Sequence, residues 1–175
     1  MGVDKSQVVV GTATMLEHVI AALTQVSDEV VISGRSVPGH HSLPDPGIPH
    51  RGPLAGLASA VSSYPGSVLV VVAVDQPWVR AETLRHLIAL TDQLPVLPVS
   101  DGIRQTTCAV YPADALDGID DELVGGGSMQ SLVDRISFQP VIEDEWLAWN
   151  EDGRSWFSVD SATDIDTGLD RFGPP

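Results

Sequence analysis

An aspartate stands where an uninterrupted apolar run ends. Residues 67–74 read Ser-Val-Leu-Val-Val-Val-Ala-Val, and Asp75-Gln76-Pro77 follow at once. The run has no polar alternation, which predicts a strand buried on both faces in the centre of a parallel sheet. A carboxylate at the carboxyl end of such a strand either holds a divalent cation such as Mg²⁺ through hard oxygen donors or caps the following turn. Pro77 turns the chain away and holds Gln76 extended. A second grouping, Arg51-Gly-Pro-Leu-Ala-Gly56, enters a helix rich in small residues. Gly52 and Gly56 permit close approach of backbone and ligand, Pro53 suits a first helical turn, and a helix N-terminus attracts anions or polar rings. The same residues also serve as ordinary punctuation between loop and helix.

Other chemically capable residues point less far. His40, His41 and His50, with Asp45 nearby, lack the closed, regular spacing of a zinc site and read as a solvated loop. Cys108 lies in an apolar stretch with no histidine beside it, so it reads as a small core residue rather than a nucleophile. Trp78, Trp146, Trp149 and Trp156 have no stacking spacing and read as packing residues. Of the acidic residues near the end, Asp160, Asp164, Asp166 and Asp170, only Asp160 ends a strand-like stretch; the others line a solvated helix face.

The elements that must position these groups alternate. Strands are predicted at 7–10, 28–33, 67–74, 95–99, 106–111, 138–142 and 157–160. Helices are predicted at 14–26, 54–63, 80–90 and 128–136, with a last one opened by the capping box Ser161-Ala-Thr-Asp164. Between them, 36–51 carries four prolines, two glycines and three histidines and reads as a long loop. Ser100-Asp101-Gly102 is a turn between two strands. Alternating strands and helices imply a layered α/β fold with a mainly parallel sheet, in a single domain spanning 1–175.

Composition bounds the partners. The chain has 175 residues with 24 acidic and 9 basic side chains, a formal charge of -15. That balance excludes a nucleic acid polymer as main partner, because phosphate neutralisation needs clustered lysine and arginine; a single nucleotide remains compatible. One cysteine cannot form an internal disulfide, no apolar run reaches the length of a membrane span, and no sustained apolar core follows Lys5 as in a signal peptide. The reading is a cytoplasmic protein with no membrane partner.

Together these stretches resemble the nucleotidyltransferase family that makes molybdopterin dinucleotide cofactors, most closely its guanylyltransferase branch. Met1-Gly-Val-Asp-Lys5 resembles the end of the family's glycine-rich signature. Asp45 with Gly52-Pro53-Leu54-Ala55-Gly56 resembles its guanine-side region. Val74-Asp75-Gln76-Pro77 resembles its metal-binding aspartate motif, and Asp101 to Tyr111 its middle. Phe157-Ser-Val-Asp160-Ser-Ala-Thr-Asp164 resembles its closing segment, usually written N-x-N/D-T-P-E-D.

The resemblance implies a Rossmann-like three-layer nucleotidyltransferase fold that joins GMP from GTP to the phosphate of molybdopterin, releasing pyrophosphate, with Mg²⁺. Lys5 and Asp75 are then catalytic, Lys5 as a point cation on the triphosphate. Asp75 and Asp160 hold the metal, and Asp45 accepts from guanine N1–H and N2–H₂. Ser33, Gly52, Pro53, Leu54 and Gly56 line the nucleotide site, with Ser33 standing where the family has an asparagine. The product implies molybdoenzymes or cofactor-insertion proteins as partners. The family's opening strand and its L-A-G-G loop precede the point at which this sequence starts, so the first strand is expected to be missing here. Two alternatives remain open: the cytidylyltransferase sister, whose motif also reads Asp-Gln-Pro and which uses CTP, and a nucleotide- or partner-binding remnant with impaired catalysis.

Overall fold

The computed structural model describes residues 4–43 and 52–175. Its centre is β8 (Cys108–Pro112), in which all five residues are buried. β8 is flanked on one side by β5 (Val68–Val72) and on the other by β6 (Val96–Ser100), both antiparallel to it. β6 also pairs with β9 (Gln139–Val141) in parallel, and with the short β7 (Ile103–Arg104) through a hairpin. Asp101 and Gly102 sit at φ 51° and 74° in that hairpin, the left-handed pair that a two-residue turn matching strand twist requires.

The side-chain period of two then sends alternate residues to opposite helical layers. From β8, Ala109 and Tyr111 pack with α2 (Gly52–Ser63), α4 (Ile119–Val124) and α5 (Met129–Val133). Cys108 and Val110 pack on the other face with α1 (Met15–Leu23), α3 (Ala81–Leu90) and α6 (Glu143–Leu147). The result is the expected three-layer α/β fold. A third cluster, built on Val10, Met15, Trp78, Val159 and Phe172, seats the terminal helix α7 (Ala162–Phe172). Among the described residues no helix is long and apolar enough to cross a membrane.

Several expectations are corrected. The sheet is mixed rather than mainly parallel: within the sheet built on β8, the β6–β9 pairing alone is parallel among the described residues. β5 is not the central strand. Among the described residues it ends the strand path and pairs only with β8, and its residues are half-buried or exposed, whereas β8 has neighbours on both sides. The strand expected at 28–33 shrinks to β3 (Val31–Ile32), which pairs in parallel with β4 (His41–Ser42) inside the stretch read as loop. The strand expected at 7–10 is a single turn of 3₁₀ helix, Lys5–Gln7, followed by β1 (Val9–Val10) in a hairpin with β2 (Ala13–Thr14). Residues 157–160 form no ladder; a single backbone bond, Val159 N–H to Asp75 O at 2.8 Å, ties them to the end of β5.

The capping box predicted for the last helix holds, and a second, not predicted, opens α1. Thr14 and Glu17 close a capping box on α1, and Ser161 and Asp164 close one on α7.

Candidate active site

The sequence places one lysine in 175 residues, and the fold sets it between two carboxylates. Lys5 Nζ donates to Asp160 Oδ1 at 2.6 Å and lies 3.3 Å from Asp75 Oδ2. Three segments remote in sequence deliver these groups. Lys5 rides the 3₁₀ turn whose N-cap is Asp4. Asp75 sits in a tight turn closed by Gln76 N–H to Ala73 O at 3.2 Å, just beyond β5. Asp160 precedes α7, and its backbone N–H donates to Asp164 Oδ2 at 3.0 Å, so the capping carboxylate of that helix also holds the Asp160 backbone. The Val159–Asp75 backbone bond brings the last two segments together.

The site is graded in exposure. The Asp75 side chain is 25% accessible, Lys5 34% and Asp160 74%. Asp160, and then Asp75, hold the Lys5 ammonium above its ordinary pKa against the opposing effect of partial burial. Asp164 is held below the usual carboxylate range, first by the Ser161 hydroxyl and then by the backbone N–H groups of Asp160 and Ser161.

Two carboxylates sharing one ammonium are a hard-oxygen pair suited to Mg²⁺, an ion that takes one or two carboxylates and completes its shell with water and substrate phosphates. Among the described residues no group of three or more metal-capable side chains converges, at this site or at any other, so the protein's contribution here is the two carboxylates. His41 is engaged differently, with Glu29 Oε1 at 2.7 Å from its Nδ1 and the Tyr64 hydroxyl at 3.2 Å. His50, Asp45 and Arg51 lie outside the described residues, as do Met1, Gly2 and Val3.

A cavity of about 410 Å³ is lined by Gly52, Pro53 and Leu54 at the start of α2, by Thr106 and Thr107, and by residues 126–130. Thr107 links the cavity to the Asp75 turn: its carbonyl accepts from Ala73 N–H at 2.9 Å and its hydroxyl from Gln76 Nε2 at 3.4 Å. Gln76 also accepts from Ala73 N–H through Oε1 and is buried, so its amide braces the strand end rather than facing a ligand. Leu54 lines the cavity and is wholly buried, its side chain packed in the core. Gly56 lies against Ser33: a Cβ there would stand 2.8 Å from Ser33 Oγ, so the glycine lets α2 approach the end of β3.

Sequence reasoning brought Lys5, Asp75 and Asp160 to one point, and Gly52, Pro53 and Leu54 to the cavity. It missed Thr106, Thr107 and the 126–130 wall. The triple glycine at 125–127 was the available signal, since Glu122 occupies the space a side chain at Gly127 would need. Cys108 is buried with its thiol pushed up by burial, as a core residue should be.

Comparison with known proteins identifies the family and the fold. Residues 1–141 match the MobA-like NTP transferase domain. A probable molybdenum cofactor guanylyltransferase of Mycobacterium avium is 32% identical over 155 residues, 79% of this chain and 76% of that protein. The molybdenum cofactor guanylyltransferase of Acidiphilium cryptum is 26% identical over 94% of this chain and 85% of its own length. Among solved structures, molybdopterin-guanine dinucleotide biosynthesis protein A from Archaeoglobus fulgidus superposes with a TM-score of 0.78 at 19% identity, over 97% of this chain and 90% of that one. The 2-C-methyl-D-erythritol 4-phosphate cytidylyltransferase of Thermus thermophilus shares the fold at a TM-score of 0.70 and 16% identity, covering 94% and 91%. With a match across most of its length and a 32% identical relative, the chain belongs to the MobA-like NTP transferase domain family.

Proposed function

We propose that this chain, acting as one catalytic domain, transfers GMP from GTP to the terminal phosphate of molybdopterin. The observation that carries the reading is the meeting of Lys5, Asp75 and Asp160 at the end of β5, supported by relatives named for guanylyl transfer. An acceptor phosphate oxygen attacks the α-phosphorus of GTP, the bond from that phosphorus to the bridging oxygen breaks, and pyrophosphate leaves. The acceptor is already an anion, so no strong general base is needed, which fits the absence of a histidine from the Lys5, Asp75 and Asp160 cluster among the described residues. Lys5 offsets charge on the triphosphate as a compact cation. Asp75 and Asp160 would hold Mg²⁺, which would supply charge neutralisation to the phosphates. Gly52, Pro53 and Leu54 line the nucleotide side, Gly56 lets α2 close on Ser33, and Asp45 reads the guanine edge. The product passes to molybdoenzymes or to proteins that insert the cofactor, in the cytoplasm.

The cytidine alternative rests on the Asp75-Gln76-Pro77 motif that the sister family shares; Gln76 itself is buried, with its amide engaged by Ala73 and Thr107. The test is to supply molybdopterin and Mg²⁺ with GTP or CTP and to follow pyrophosphate release. Consumption of GTP, lost in Asp75→Ala, is expected; preference for CTP overturns the base assignment. Absence of Mg-GTP binding by calorimetry supports a remnant instead.

A further inference from the structure

We infer that Arg35 is a positioning residue for this reaction, its guanidinium clamping both neighbours of Lys5 and so fixing where the Lys5 ammonium stands. The inference rests on the reading of Lys5 given above. A lysine is a flexible four-carbon stem, and its tip is held in one place only if its backbone is held first. The backbone of Lys5 belongs to a single 3₁₀ turn, too short to be stable by itself.

What secures the turn is a closed ring of polar contacts around it. Asp4 Oδ1 accepts from Ser6 N–H at 3.1 Å and from the Ser6 hydroxyl at 2.9 Å. One nitrogen of Arg35 then donates to the other oxygen of Asp4 and, at 2.5 Å, to Ser6 Oγ. Residues 4 and 6 are thereby locked to each other and to the segment after β3, while residue 5 is left pointing at Asp75 and Asp160. Ser6 is only 3% exposed, so this ring has a solid floor.

Arg35 reaches the turn from just beyond Ser33, with Gly34 at φ 85° redirecting the chain between them. The guanidinium, chiefly, holds the Asp4 carboxyl below its usual range, as a committed ion pair does. Both contacts come from one guanidinium nitrogen, whose two N–H bonds, fixed in the plane of the group, each serve one acceptor.

The test uses the full chain. Arg35→Ala is expected to lower kcat about 10- to 100-fold with little change in KM for GTP, the scale of losing a supporting partner of a functional group. Asp4→Asn is expected to act the same way, and neither change to cost anything further in a Lys5→Ala background. A further loss in that background means that Arg35 touches the substrate itself and overturns the inference, as does full activity of Arg35→Ala. Because the sequence has a single lysine, selective ¹³Cε labelling gives one signal without any enzymatic assay. Two distinct Hε resonances are expected for the fixed side chain, collapsing to one in Arg35→Ala and Asp4→Asn. If the wild-type chain transfers no nucleotide, the functional reading fails while this signal still decides the clamp; an unchanged Lys5 signal in both variants overturns it. Circular dichroism melting of both variants separates loss of the clamp from loss of the fold.

Discussion

The Lys5 ammonium donates to Asp160 at 2.6 Å across a sequence separation of 155 residues. A contact joining the two ends of the chain this closely makes the site a product of the whole fold. Removing the ammonium by Lys5→Ala is expected to lower kcat for GTP consumption about 10²–10³-fold, the range for losing one preorganised charge-stabilising group. The folded chain should persist, since Lys5 is partly exposed. An undiminished rate of pyrophosphate release would sink the assignment.

The two carboxylates should not be equal. Asp75 is the more enclosed, and water screens Asp160 more heavily. Asp75→Asn is therefore expected to lose more turnover than Asp160→Asn, and both to raise the Mg²⁺ concentration giving half-maximal rate. Titrating Mg²⁺ against rate for the two variants is the check; equal losses contradict the ranking.

Acid should loosen the Asp160 segment through its neighbour. Asp164 has a folded-state pKa below its ordinary 3.8. A depressed carboxylate contributes stability that is present above its unfolded value and is lost as pH falls through the lower folded one. Lys5 works in the opposite sense, its raised pKa contributing below the ordinary 10.5 and losing that contribution as pH climbs past its folded value. Urea unfolding at pH from about 3 to 6 should show a shallower acid loss for Asp164→Asn than for the native chain. Identical slopes would mean that Asp164 is not among the groups responsible.

Packing beside the site gives a separate test. Gly56→Ala brings a methyl to 2.8 Å from Ser33 Oγ and 3.0 Å from Ser33 Cβ. We expect a cost of about 1–3 kcal/mol from overpacking. Ser33→Gly in the same chain should recover most of it and Ser33→Ala little, because the crowded Cβ remains. Denaturant midpoints of the four proteins decide this.

Away from the site, Glu151 is 1% exposed and accepts four hydrogen bonds: from the Thr83 hydroxyl at 2.5 Å, the Ser155 hydroxyl at 2.6 Å, and the N–H groups of Gly153 at 2.9 Å and Ser155 at 3.1 Å. An amide cannot accept through its nitrogen, so Glu151→Gln strands buried donors and should cost at least about 2 kcal/mol. Its KM for GTP at permissive temperature should match that of the native chain. A variant as stable as the native protein would show that the network relaxes.

Some of this was legible in the chain and some was not, for reasons that differ by residue. Asp75 and Asp160 could be found because each directly follows or precedes a recognisable local signal, an apolar run in one case and a capping box in the other. The pairing of Arg35 with Asp4 could not, because nothing local joins residues 31 apart. Strand rank was misread because Val68–Val72 and Cys108–Pro112 look alike in sequence; which of them is central depends on neighbours, and β8 has two. α4 escaped notice because its first turn is Ile-Asp-Asp-Glu, which shows little apolar period. Leu54 was grouped with the ligand-facing residues of its motif, although helical periodicity turns its side chain into the core.

The single lysine has a practical corollary for anyone handling the molecule. Amine-directed chemistry, whether a fluorophore, a crosslinker, a coupled bead or an acetyl group, finds one side-chain address, and that address is the ammonium wedged between Asp75 and Asp160. Tethering this chain through its lysine means tethering it by its own centre. Labels meant to leave that centre intact belong on an introduced cysteine at an exposed position, since Cys108 is sealed in the core.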